Sequence, residues 1–387
     1  EITPGKKPPK KLWKYINMSK KDFLFILYSF LSWRILLFVI LFFAVKNVAL
    51  QQHFLGGGMQ AYLKNPWLWA WANFDGEHYL AIVKEGYHLA EQAFFPLYPL
   101  LIKLLGGGVS SGLFISNASF FLALVGLYKL LRIDYSEKVT KLAVILLLIF
   151  PTSFYFGAVY TESLFLCLII WSFYYYRKRN LLPASILGMF ASGIRVIGII
   201  LLPIYLLELF KNKAKWNKKH LWLLLIPLGL VFYMTYLNRV YGDPLMFLHA
   251  LPAFGEQRSS VPILLPQVFY RYIFKILPNL NYSYFAGTFT TIMEFVVGII
   301  FFAVSAISFF KLRLSYSLFL TLGYLIPALS GSFSSLPRYV LVLFPAFILF
   351  SIWISRTSGL IRIICYTMLF VGLIISFSLF SRGFWLA

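Results

Sequence analysis

Apolar and polar positions along this chain fall into long blocks rather than the short alternation of a soluble fold. The stretch FLFILYSFLSWRILLFVILFFAV, residues 23–45, holds a single charged residue, Arg34. It is long enough for a hydrocarbon layer, which takes about 20 apolar residues to cross. Blocks of the same kind recur at 112–131, 141–156, 163–176, 182–194, 196–210, 220–238, 289–310, 315–329, 338–355 and 361–380, each bounded by charged or turn-forming residues. The pattern predicts an all-α polytopic membrane protein with about eleven transmembrane helices. Two long segments, 46–111 and 239–288, are aromatic, amphipathic and punctuated by proline, as in NPWLWAWANF and FYRYIFKILPNL. They are expected to form short helices lying in the membrane interface. No low-complexity linker divides the chain, so residues 1–387 read as one integral membrane domain.

The blocks at 141–156, 163–176, 182–194 and 196–210 are short, and at 1.5 Å per residue reach only about 20–24 Å. Their outer ends are expected to stop below the membrane surface and leave a wet cavity there. Dividing 182–210 at Arg195 keeps the cluster KNKAKWNKK, 211–219, on the same side as the other basic clusters.

Charge turns the block pattern into a topology. The chain has 35 Lys and Arg against 13 Asp and Glu, with 60% hydrophobic and 12% charged residues, half the charged fraction of an ordinary soluble domain, which is about 25%. The basic residues group at Lys6–Lys21, Lys129–Lys141, Arg177–Arg179, Lys211–Lys219, Lys311–Arg313 and Arg356–Arg362. That spacing obeys the positive-inside rule with residues 1–22 in the cytoplasm and 46–111 and 239–288 on the extracellular, periplasmic or lumenal side. The charge therefore belongs to membrane topology and not to a nucleic-acid surface. The lysine-rich start lacks the small-residue cleavage site of a secretory signal, so the first span is expected to be retained. Cys167 and Cys365 both sit in apolar runs and support neither a disulfide framework nor a metal cluster. Phosphate-loop, dinucleotide, HExxH and CxxC motifs are missing, which leaves ATP-driven and nicotinamide chemistry without support.

The scarce carboxylates concentrate in NFDGEHYLAIVKEGYH, residues 73–88. In the predicted topology Asp75, Glu77, His78, Glu162, Arg195 and Arg338 all lie on the outer side, where ionisable groups near membrane depth mark function or a paired bridge. Two arginines suit a phosphate, because each presents a planar fork of donors. Plain structural roles compete with this reading. Asp75 would cap a helix, Glu77 and Glu162 would be first-turn acids, His78 would be a packed residue, and Arg195 and Arg338 would anchor helix ends at head groups. Glu294 is expected to pair with a neighbour that the sequence does not identify, and Arg34 to snorkel toward the inner surface.

The segments FDGEHYLAIVKEGY (74–87), FFPLYPLLI (94–102), PTSFYFGAVYTESLFL (151–166), ASGIRVIGIIL (191–201) and LPRYVLVLFPAF (336–347) occur in this order over most of the chain. Together they resemble the GPI mannosyltransferase II (PIG-V-like) family within the GT-C class of membrane glycosyltransferases. The first loop reads WDGxHY in that family; here Phe74 stands in place of the tryptophan. The resemblance implies an inverting transferase that moves a hexose, typically mannose, from a polyprenyl or dolichyl phosphate to an acceptor hydroxyl of a glycolipid, glycan or protein at the outer face. It implies Asp75 as general base, which takes the acceptor proton as the glycosidic bond forms. Arg195 and Arg338 would hold the donor phosphate, with His78, Tyr79 or Lys84 as helpers, and Glu77 or Glu162 would position the acceptor or an arginine. No metal or other cofactor is implied, and membrane lipids are the surroundings. Two other classes remain open at this level: a transporter or flippase of lipid-linked sugars, and a non-catalytic scaffold in a biosynthetic complex.

Overall fold

The computed structural model describes residues 18–51, 58–88, 90–213, 217–254 and 261–386. Most of the basic amino-terminal segment, part of the 211–219 cluster and residues 255–260 of the second long loop lie outside the described residues. Among the described residues the chain is helical throughout, with no strand. Four helices are long and apolar enough to cross a membrane unaided: Lys20–Asn47, Val109–Leu131, Phe285–Lys311 and Gly359–Ser381. The first starts where the sequence provides a cap, the Ser19 side chain accepting a hydrogen bond from the Asp22 amide at 3.1 Å. It buries Trp33, Leu37 and Leu41 while Ile35, Phe38 and Phe43 remain exposed. Apolar residues on every face are what a lipid-embedded helix requires.

The four short helices expected between 141 and 210 are present as Glu137–Ile149, Glu162–Arg177, Leu181–Ser192 and Leu201–Lys211. The break at Arg195 is real: its backbone is extended, with φ −149° and ψ 139°. Two spans expected to be straight are not. At 220–238 a 3-10 stretch, Lys218–Leu225, meets helix Leu228–Tyr241 at 41°, and at 338–355 the short Leu336–Val342 segment meets Phe344–Arg356 at 84°. Pro227 and Pro345 stand at these breaks, each removing a backbone donor and crowding the turn before it. Both long loops carry short helices, including Asp75–Glu85 and Leu97–Leu104 in the first and Leu265–Arg271 in the second.

The segment from Pro151 to Thr161 runs through the centre of the bundle. Phe154, Tyr155, Phe156 and Tyr160 are all buried, with Phe156 stacked on Phe120 at 4.3 Å. Arg34 does not snorkel. It turns into the bundle, donates to the Gly157 carbonyl at 3.2 Å and lies 3.9 Å from the Trp71 ring. The Val159 amide in turn donates to the Trp71 carbonyl at 2.8 Å.

A network of charges ties the opposite end of the bundle. Asp134 accepts from Arg177, with one contact at 2.9 Å, and from Arg313 at 3.2 Å, and Arg313 also lies 3.8 Å from Glu208. Glu162 and Arg177 are the first and last residues of one helix, so this network sits about 22 Å along the axis from Glu162.

Two stability measurements follow from this packing. A Cβ at Gly229 would lie 2.0 Å from the Met189 carbonyl and 2.6 Å from the Gly193 amide, both backbone, whereas at Gly359 it meets nothing within 4 Å. Gly229→Ala is expected to lower the thermal unfolding midpoint in lipid clearly, and Gly359→Ala to leave it unchanged. Asp134→Ala takes the carboxylate from buried Arg177 and, among the described residues, leaves Arg313 only Glu208; it is expected to cost about 3–5 kcal/mol, the range for breaking a buried pair, read from the same thermal assay.

Candidate active site

Asp75 opens helix Asp75–Glu85, and the residue before it adopts a backbone conformation that side chains avoid. Phe74 has φ 53° and ψ −115°, a strain on the order of 1–3 kcal/mol that surrounding contacts must hold. They do so from several sides. The Phe74 amide donates to Asn73 Oδ1 at 3.0 Å, Asn73 Nδ2 to the Phe380 carbonyl at 3.1 Å, and the Tyr160 hydroxyl to the Asn73 carbonyl at 2.9 Å. The Phe74 ring packs against Phe380 and Trp385 at 5.9 and 5.1 Å. Behind Asp75, a Cβ on Gly76 would come within 3.3 Å of the Val159 carbonyl, so only glycine lets the helix start press this close to the central segment.

Held in this way, Asp75 does not cap its own helix. Its Oδ2 accepts from Arg338 Nη1 at 2.6 Å, and among the described residues Oδ1 has no hydrogen-bond partner. Arg338 comes from the Leu336–Tyr339 turn, which follows Ser335 in the left-handed conformation at φ 60°. The 84° bend at Pro345 turns this segment inward, so Arg338 is buried and is not a head-group anchor. Its Nε lies 3.5 Å from Glu162 Oε1, its Nη2 donates to the Tyr339 hydroxyl at 3.4 Å, and the Tyr155 and Tyr160 rings lie 5.7 and 5.5 Å from its guanidinium.

Glu162 is the first residue of helix Glu162–Arg177, where the helix dipole favours a negative charge. It receives Arg195 Nη2, while Arg195 Nε donates to Thr161 Oγ1 at 2.9 Å. Four residues from four separate elements thus form a line of alternating charge: Asp75, Arg338, Glu162, Arg195. Side-chain exposure is 20% for Asp75, 17% for Arg195, 6% for Arg338 and 0% for Glu162. The two ends of the line are partly exposed and its middle is buried. Glu162 Oε2 and Arg338 Nε are buried without hydrogen bonds, a costly arrangement that leaves polar capacity in place.

The remaining candidates divide. Tyr79 is buried with its hydroxyl 3.5 Å from Thr161 Oγ1, so it supports the residue that holds Arg195. Glu77 is half-buried one residue past Gly76, and burial raises its pKa above the ordinary glutamate value, with His78 opposing the shift. His78 faces Glu91 at 3.4 Å and stacks on Phe94 at 4.9 Å. Lys84 is not brought to the cluster; it is 79% exposed, bonded to Glu85 at 2.7 Å, and nine residues, about 14 Å, along the helix from Asp75. Sequence reasoning missed Asn73, Tyr155, Tyr160, Thr161 and Tyr339. Their signal was adjacency, since each lies within the same short segments as Asp75, Glu162 and Arg338.

An apolar cleft of about 550 Å³ is lined by the far half of helix Asp75–Glu85 and its neighbours, and none of the four charged residues lines it. Ile82, Val83, Pro96 and Leu100 form one wall and Phe190 and Phe232 the other, with Gly193, two residues before Arg195, at its edge. Leu100 and Phe232 are exposed, so the cleft opens on the apolar outer surface.

No family model matches the sequence, and no curated protein matches it. Among solved structures, the chain is similar to ArnT from Cupriavidus metallidurans bound to undecaprenyl phosphate, at 13% identity and a TM-score of 0.51, over 85% of this chain and 60% of that one. It also aligns with the archaeal oligosaccharyltransferase AglB from Archaeoglobus fulgidus, in complex with an inhibitory peptide and a dolichol-phosphate, at 15% identity and a TM-score of 0.41, over 92% of this chain and 55% of that one. The second likeness is too weak to argue from, and the first concerns the fold. The chain is an all-helical multi-pass membrane protein with a fold similar to that of ArnT.

Proposed function

We propose that this protein is an inverting membrane glycosyltransferase that moves a hexose, mannose, from a polyprenyl- or dolichyl-phosphate carrier to an acceptor hydroxyl of a glycolipid, glycan or protein at the outer face. The observation that carries the reading is the Asp75–Arg338–Glu162–Arg195 line, together with an apolar cleft whose lining reaches Gly193, two residues before Arg195. A carrier lipid needs both parts: apolar walls for isoprenoid units and cationic forks for the phosphate. ArnT, which has a similar fold, is bound to such a lipid phosphate.

The chemistry then runs on the residues present. With the carrier chain in the cleft, its phosphate competes with Asp75 and Glu162 for Arg338 and Arg195. Withdrawal of Arg338 leaves the Asp75 carboxylate free to accept a proton from the acceptor hydroxyl. The hydroxyl oxygen bonds to the anomeric carbon from the face opposite the phosphate, the bond from carbon to phosphate oxygen breaks, and the lipid phosphate departs. Arg195 and Arg338 stabilise the negative charge that develops on it, so the reaction asks for no metal ion. In this reading Glu77 or Glu162 positions the acceptor or holds an arginine. A flippase for lipid-linked sugars would need a path to the other face. The Asp134, Arg177, Arg313 and Glu208 network ties the helices at that end of the bundle, which speaks against this alternative.

The test is transfer of labelled sugar from polyprenyl phosphate mannose by purified protein in lipid, with membrane extract as the acceptor mixture. Wild type should transfer, and Asp75→Asn should lose at least about 100-fold in rate, the scale of general-base catalysis, while still binding donor. An Asp75→Asn variant that transferred at near wild-type rate would remove Asp75 from the mechanism. Donor that is bound but never consumed by wild type would favour the flippase. In the same assay Arg338→Ala should raise the donor KM much more than Arg356→Ala; equal effects would overturn the topology on which the reading rests.

A further inference from the structure

The reach of Arg338 to Asp75 and Glu162 is set by the Thr152 hydroxyl, which donates to the Pro337 carbonyl at 2.7 Å, and by the shape of the loop before it, Leu329 to Ser335. Ser335 occupies the left-handed region, at φ 60°, a conformation that a residue with a side chain keeps only under outside constraint. The constraint comes from two elements remote in sequence. Glu294, buried in helix Phe285–Lys311, accepts the Ser335 amide on Oε1 at 3.2 Å and the Tyr272 hydroxyl on Oε2 at 3.1 Å. The Tyr272 oxygen in turn accepts the Phe333 amide at 3.2 Å. One turn along from Glu294, a Cβ on Gly298 would come within 2.9 Å of the Phe333 ring, so the glycine makes the seat in which that ring lies.

The second long loop supplies the rest of the grip. Arg271 Nη1 donates to the Gly331 carbonyl at 3.1 Å, the Ile263 amide to the Leu329 carbonyl at 2.8 Å, and the Tyr272 ring lies 5.0 Å from Phe333. Tyr272 opens a π-helical turn, Tyr272–Ile276, a distortion found mainly where a helix is bent to a functional purpose. Every one of these contacts lands on the loop that delivers Arg338.

We infer that Glu294 and Tyr272 are positioning residues for the donor-phosphate site: they clasp the Leu329–Ser335 loop and so set the reach of Arg338, making the second long loop a determinant of carrier affinity. The inference rests on the proposed transferase reading, in that the anion held by Arg338 is the phosphate of a polyprenyl carrier. Neither residue touches substrate, so its removal acts through the arginine.

The experiment measures three quantities on full-length protein in lipid nanodiscs: binding of sugar-free polyprenyl phosphate, donor KM and kcat, and the thermal midpoint. Glu294→Met, which removes the acceptor oxygens, and Tyr272→Phe, which removes one hydroxyl, should each raise the Kd for polyprenyl phosphate and the donor KM about tenfold, the scale of one lost hydrogen bond to a charged group. Acceptor KM should be unchanged. Glu294→Gln, which keeps one acceptor oxygen, should recover part of the affinity, and Glu294→Met combined with Arg338→Lys should fall short of the product of the single effects. Variants that lower the thermal midpoint yet bind polyprenyl phosphate as wild type does would show a structural role only and overturn the inference. If Glu294→Met does not fold, Tyr272→Phe alone decides by the same criterion. Wild type that binds polyprenyl phosphate and transfers no sugar would sink the transferase reading and leave the clasp to be judged on binding, and wild type that binds none would sink both.

Discussion

The rest of the structure depends on keeping the Arg338 guanidinium charged in a nearly dry interior. Moving such a cation out of water costs several kcal/mol even after relaxation, and only close counter-charges repay it. Asp75 at 2.6 Å and Glu162 at 3.5 Å supply them. Each of those carboxylates then has its own requirement. Asp75 needs the strained Phe74 turn, and Glu162 needs Arg195, which needs the break after Ser192 and the Thr161 hydroxyl. Remove one member and the next is left uncompensated, which explains why the elements around the cluster are so heavily braced.

The bracing is built from close approaches that larger side chains would prevent. Gly76 lets the Asp75 helix press on Val159, Gly298 seats Phe333, and the Asn73 side chain bridges Phe74 to Phe380. Left-handed backbone appears at Phe74 and Ser335, immediately before the two segments that bring Asp75 and Arg338 together. Strain on both sides of one ion pair, held by packed aromatic rings, fixes the geometry of that pair in a way a surface bridge does not require.

Charge is placed at two levels of the bundle with different uses. The Asp134 network is joined on several sides and ties helices together, whereas the Asp75 line keeps, among the described residues, a carboxylate oxygen without a hydrogen bond and has its two end members partly exposed. In the proposed reading the donor phosphate enters at the second, where its charge replaces that of the carboxylates already bound to the arginines. In the proposed reaction, the pairs that stabilise the empty site are the ones the donor must break, so the base becomes available when the leaving group is in place.

Much of this was legible along the chain. Block lengths of apolar residues determine that the protein is a polytopic helical membrane protein, because backbone groups in lipid must be satisfied within each helix. The short helices between 137 and 211 and the break at Arg195 follow from the same lengths and from the spacing of basic clusters. Scarcity picked out Asp75, Glu162, Arg195 and Arg338, since a charge at membrane depth must have a partner. Which partner it has is a question of packing angles, and local periodicity carries no information on those. The 84° turn at Pro345 aims Arg338 at Asp75, the bundle interior captures Arg34 at Gly157, and helix Asp75–Glu85 points Lys84 away from the residues that its neighbours in sequence serve. The partners of Glu294 come from two separate loops, Tyr272 from the second long loop and Ser335 from the loop before Arg338. The sequence by itself determined the spans and the residues that had to be paired; the tertiary structure alone decided the pairs, because each joins elements whose contact depends on how the whole bundle closes.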